Sequence, residues 1–209
     1  MLLRISVAAI FATALLSGCS ARSLNPVVGE QEAESIEELV GIWRADDGAQ
    51  WPPAVDESVE LDSLRIEVAP SDSRNAHAVV VTDADAVQDG PDQIELALQR
   101  TERGVVGHAA TGEHSKTQNP DSFGGFHVQV YCPLLVQVTD DHQWMAVTLI
   151  DEEALESSFD EGNPPIACVR AGGTVLISAE PAAIREFLLT MPDQFQHEPM
   201  VFRREMDLP

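Results

Sequence analysis

Leu64-Arg65-Ile66-Glu67-Val68 alternates apolar and charged residues with the period of a strand that has one buried and one wet face. The pattern returns in Ile94-Glu95-Leu96-Ala97-Leu98-Gln99 and in Phe126-His127-Val128-Gln129-Val130. It appears again where Leu134, Val136 and Val138 enclose Leu135 and Gln137. Such alternation is the signature of antiparallel sheets packed on one side. Less regular apolar runs at 76–81, 104–109 and 144–150 extend the series. Turn-forming stretches separate the runs: Asp83 to Asp92 with Gly90-Pro91, Thr111 to Gly125, and Asp140-Asp141-His142. Short strands at hairpin spacing predict a mainly β chain, an antiparallel meander closed into a barrel of about eight strands. A barrel of that size is filled by its own side chains or holds one small ligand. Pro133 cannot donate to a ladder and marks a bend or edge after Cys132.

Two or three short helices accompany the strands. Ser35-Ile36-Glu37-Glu38 has the spacing of a capping box and predicts a short helix with Ile36, Leu39 and Val40 turned inward. Residues 151–159 crowd acids into a first helical turn, where the helix dipole favours them. Ile184, Phe187, Leu188 and Met191 form one apolar stripe, with Ser178 as cap, Pro181 in the first turn and Pro192 as the stop. Gly172-Gly173 joins the runs 166–171 and 174–178 as a hairpin, and Met200 to Glu205 reads as the last strand.

The first short helix runs straight into Gly41-Ile42-Trp43. A short helix followed by Gly-x-Trp resembles the start of a lipocalin-like barrel. In that family the tryptophan plugs the closed end and an arginine of the last strand lies across its ring. The resemblance implies Trp43 as the plug and Arg203 or Arg204 as its partner, a contact worth about 0.5–2 kcal/mol. The order of elements over residues 36–205 also resembles a group of bacterial lipoproteins, and that resemblance brings no activity with it.

Ahead of the barrel, Arg4 is followed by an apolar run from Ile5 to Leu16 and then by Ser17-Gly18-Cys19. These are the three parts of a secretory signal. The run is about half the roughly 20 residues of a spanning helix. Leu16-Ser17-Gly18-Cys19 resembles the lipobox of bacterial lipoproteins. That resemblance implies cleavage before Cys19 and acylation of its sulfur, each buried CH2 contributing about 0.8 kcal/mol of membrane attachment. Ser20 in the next position implies the outer membrane, with the folded part facing the periplasm or the outside. Residues 1–18 are thus expected as a signal peptide, 19–34 as a lipidated flexible tether and 35–209 as the barrel domain.

The net charge of −23 argues against nucleic acid or anionic lipid surfaces as partners. A carboxylate-rich surface in a salty medium accounts for it, since salt screens self-repulsion. With Cys19 acylated, Cys132 and Cys168 remain. They form either a disulfide, worth about 3–4 kcal/mol by loop closure, or two buried free thiols. His108 and His114 flank a glycine-containing turn, a surface pair rather than a metal site. The acids of 82–90 lack the third acid and closing Glu of a calcium loop. No His-Glu-x-x-His, Gly-x-Ser-x-Gly or phosphate-binding glycine loop occurs. Neither catalysis, metal nor cofactor is therefore expected. The expectation is a non-catalytic envelope module that binds an apolar small molecule, or else an accessory subunit that binds an envelope protein. A hydrolase with dispersed catalytic residues ranks below both.

Overall fold

The alternating runs pair in sequence order, and the last strand meets the first of the ring. The computed structural model describes residues 20–46, 51, 64–71, 76–83, 92–110 and 130–205. Its strands are β1 (Arg22–Ser23), β2 (Gly41–Ala45), β3 (Leu64–Pro70), β4 (Ala76–Asp83), β5 (Asp92–Thr101) and β6 (Gly104–Ala110). They continue with β7 (Tyr131–Val138), β8 (Trp144–Leu149), β9 (Cys168–Ala171), β10 (Thr174–Ile177) and β11 (Met200–Arg204). The helices are α1 (Glu152–Asp160) and α2 (Pro181–Thr190), with single 3-10 turns at Glu37–Leu39 and Asp193–Phe195.

Strands β2 to β8 form an antiparallel meander, and β11 closes it by pairing with both β8 and β2. The eight-stranded ring is the closed barrel that the alternation predicts, and it is consistent with the lipocalin-like barrel that the Gly-x-Trp resemblance implies. Strands β1, β10 and β9 continue the sheet outward from β7. The branch occurs where β8 stops pairing. β8 covers Leu134–Val138 of β7, while Ser23 of β1 pairs with Tyr131. Pro133 stands at that change-over, where a residue without an N–H weakens the ladder least.

Alternation separates two apolar cores. Leu98, Val105, Leu134 and Val136 face the barrel interior with Trp43 and Phe202. Their neighbours Ala97, Val106 and Leu135 face outward, where Val27, Val28, Ile184, Phe187 and Leu188 cover them. The stripe on α2 thus lies on the outer barrel wall, and Met191 is buried with it. Asp151 caps α1 by accepting from the Ala154 N–H at 2.8 Å. Gly172 and Gly173 turn the β9–β10 hairpin at φ +60° and +91°, a backbone that glycine adopts without strain.

Three local expectations are corrected. Residues 20–34 are not a slack tether but a strap sewn into the sheet. The Ala21 N–H donates to Ile150 O at 3.0 Å, Leu24 N–H to Ile177 O at 2.9 Å and Glu34 N–H to Leu98 O at 2.9 Å. Ala21, Val27, Val28 and Ala33 are buried. The strap shows no period because it is irregular, and its backbone groups are satisfied by neighbours rather than by its own helix or hairpin. The Ser35–Glu38 capping box does not form: the turn at Glu37–Leu39 is entered at Ile36 with no side-chain cap, and the Ile36 N–H is held by His77 Nε2 at 3.1 Å. Ser178 does not cap α2, which starts directly at Pro181 after Glu180. The run Phe126–Gln129, the acids after Asp83, His114 and residues 1–19 lie outside the described residues.

Because Val27 is fully buried, Val27→Ala should cost about 1–3 kcal/mol in urea unfolding. A slack tether would leave the midpoint unchanged.

Candidate functional site

Trp43 comes from β2, and its indole is wholly inside. Its Nε1–H donates to Leu39 O at 2.8 Å, so the ring's one polar group is satisfied by the turn beneath it. The β2–β11 register sets Trp43 opposite Arg204, whose guanidinium carbon stands 4.7 Å from the ring centroid. Arg204 Nη2 donates to Val40 O at 3.1 Å and also to Glu38 O. It therefore ties the 3-10 turn, β2 and β11 together. Gly41, at φ +146°, supplies the bend that lets the turn meet β2 beside this arginine. Of the two arginines in the last strand, Arg204 takes the plug. Arg203 points to the other side of β11 and lies 5.4 Å from the centroid of half-buried Trp144.

Above the plug, the lumen is almost full. A cavity of about 30 Å³ remains, and the described residues that line it are aliphatic side chains and Met145, among them Leu39, Ile66, Val79, Ile94 and Leu134. A water needs roughly 10–15 Å³ by the same measure, and ligand pockets run to about 300–1,000 Å³. The cavity as it stands holds no more than two or three water-sized bodies.

Two histidines are buried in strands. His77 caps the Ile36 N–H. His108 Nδ1 accepts the Val28 N–H at 3.4 Å, with its ring edge-on to Tyr131 at 4.8 Å. His108 was expected in a surface pair with His114, but it points from β6 into the strap. Burial pushes its pKa down to about 4, and burial lowers that of His77 despite the bond from Ile36. Both rings are neutral acceptors that hold backbone. Their position within the runs 76–81 and 104–109 is the sequence signal that could have found them.

Cys132 and Cys168 are both free, so the disulfide alternative does not hold. The reason is placement: Cys132 belongs to the lumen core, and Cys168 packs on the outer one. Cys132 Sγ lies 3.2 Å from Ser20 Oγ. Burial pushes both thiols up to about 11, which keeps them protonated and poorly nucleophilic at neutral pH. Among the described residues no three His, Cys, Asp or Glu side chains could share a metal ion. Among the same residues no helix is long and apolar enough to cross a membrane. Cys19, the residue the lipobox resemblance marks for acylation, lies outside them, one residue before the strap begins.

The larger concavity is outside the barrel. A groove of about 430 Å³ runs between the segment 165–167 and α2. Ile166 and Phe187 give it an apolar floor, and the exposed Glu180 and Glu186 border it. The fold and this geometry define a class, a filled lipocalin-like barrel with an external groove. Compared with protein-family models, curated proteins and solved structures, the chain has no match.

Arg204→Met should cost about 2–4 kcal/mol, since it removes a desolvated cation–π contact and charged hydrogen bonds. Arg203→Met, at a half-exposed stack, should cost less than about 1 kcal/mol in the same denaturant titration. Stability should also depend on pH through His108. Unfolded, the imidazole titrates near 6.5, whereas in the fold it titrates at about 4. Its contribution is intact above pH 6.5. Below that, the unfolded chain gains a proton that the native chain refuses, and stability falls by about 1.4 kcal/mol per pH unit until about pH 4. His77 acts in the same direction. Unfolding curves between pH 7 and 4 should show this fall, and His108→Gln should flatten it.

Proposed function

We propose that the protein is a non-catalytic interaction module of the bacterial envelope, held to the outer membrane by acylated Cys19. Its partner surface lies outside the barrel. The observation that carries this reading is the contrast between a lumen with about 30 Å³ left and an external groove of about 430 Å³. A filled barrel serves best as a rigid scaffold for its exterior. The buried histidines and thiols support the non-catalytic side, because they cap backbone or pack as small apolar groups instead of facing a cleft.

The membrane part rests on Leu16-Ser17-Gly18-Cys19. The full chain should enter the detergent phase on partitioning, and Cys19→Ala should leave it in water. A photoreactive residue in place of exposed Ala183, beside the groove, should give one discrete cross-linked protein in the native envelope. An aqueous wild type would remove the anchor, and the absence of any adduct would remove the partner.

A second reading is supported by the apolar side chains of the described residues that line the lumen: a narrow hydrocarbon guest that enters by displacing Leu39 or Met145. Saturable binding of a fluorescent fatty acid, lost in Val136→Trp, would move the site into the barrel.

A further inference from the structure

Strand β9 is the last in the sheet, and among the described residues nothing pairs with its outer edge. Natural edges are usually blunted by an outward lysine, a proline or a bulge. This one is not. The only charged residue of β9, Arg170, is held against α1 by Glu156 at 3.2 Å and by Asp160, with its guanidinium over Phe159. Val169 is 40% exposed, the one large hydrophobic so exposed among the described residues. The wall of the groove, Pro165 to Ala167, runs directly into this strand.

The charge around the groove selects the occupant. Glu180 and Glu186 border it, and among the described residues neither has an ion-pair partner and no basic side chain lines it. A second copy of the chain would bring the same carboxylates and a net charge of −23 against them, which disfavours self-pairing. An extended segment with one apolar face and one face that mixes apolar and basic residues satisfies all three features. Its backbone pairs with the open edge; its side chains on the face of Cys168 and Arg170 run toward the groove, where apolar ones reach the Ile166–Phe187 floor and cations meet Glu180 and Glu186, while apolar ones on the opposite face meet Val169. We propose that β9 and the adjoining groove bind an extended, basic and apolar segment of a partner protein by strand addition. This rests on the interaction-module reading and gives its partner a chemistry.

The test uses the full chain in detergent micelles and a labelled nonapeptide with valine on one face and valine and arginine in turn on the other, at about 0.15 M salt so that diffuse attraction is screened. Anisotropy should show saturable binding, while the valine–glutamate counterpart should not bind. Glu180→Lys with Glu186→Lys should weaken binding at least tenfold. These are exposed positions, so folding is kept and circular dichroism verifies it. Val169→Pro should abolish binding, and the peptide should slow hydrogen exchange at backbone amides of β9. Binding that ignores the double lysine variant, or leaves β9 exchange unchanged, would overturn the proposal. So would a dimer through β9 in sedimentation. If the peptide fails while the Ala183 cross-link persists, the strand-addition site is wrong and the interaction reading survives. If the cross-link fails as well, both fall.

Discussion

The contact between Arg204 and Trp43 is the constraint on which the rest of the molecule depends. It joins the end of the last strand to the start of the first barrel strand, and through Glu38 and Val40 it holds the turn beneath both. Closure leaves the ring without free edges, so the open backbone of the sheet is displaced to its appended strands. Closure also squeezes the interior to aliphatic packing, which makes the barrel a rigid body.

The strap gives that body its second property. Ser20 already bridges to Asp151, and its hydroxyl meets the Cys132 thiol. Under the proposed anchoring, a single residue step, about 3.8 Å between Cα atoms, separates the lipid-bearing position from the sheet. The domain would then have little freedom to swing. The membrane would lie near the β1–α1 side, and orientation would be set by the fold instead of by a linker.

Much of the architecture was legible because period-two alternation reports which face is buried. The hairpin at Gly172-Gly173 and the α2 stripe of Ile184, Phe187, Leu188 and Met191 were legible for related reasons: glycine conformation in one, helical spacing in the other. The plug itself was readable from Gly41-Ile42-Trp43, but the choice between Arg203 and Arg204 was not. Adjacent strand residues face opposite sides, and only the β2–β11 register says which one reaches Trp43. The strap was misread because isolated valines and alanines bury well without a repeat. The capping box fails because the turn is entered at Ile36, whose own N–H a histidine 41 positions away holds, and not at Ser35. The cysteine count left a disulfide and two free thiols both open, and only the fold shows the two side chains in different cores. Nothing local marked the external groove, which exists only where the 165–167 segment comes to lie beside α2.

The most direct test of the account is native-state hydrogen exchange at Ala21, Leu24 and Glu34 compared with the barrel amides of β2 and β11. If strap and closed barrel form one cooperative unit, these strap amides exchange only through global opening, with the same free energy and the same denaturant slope as β2 and β11. Free-coil exchange at Ala21 and Leu24 beside a protected barrel would contradict it.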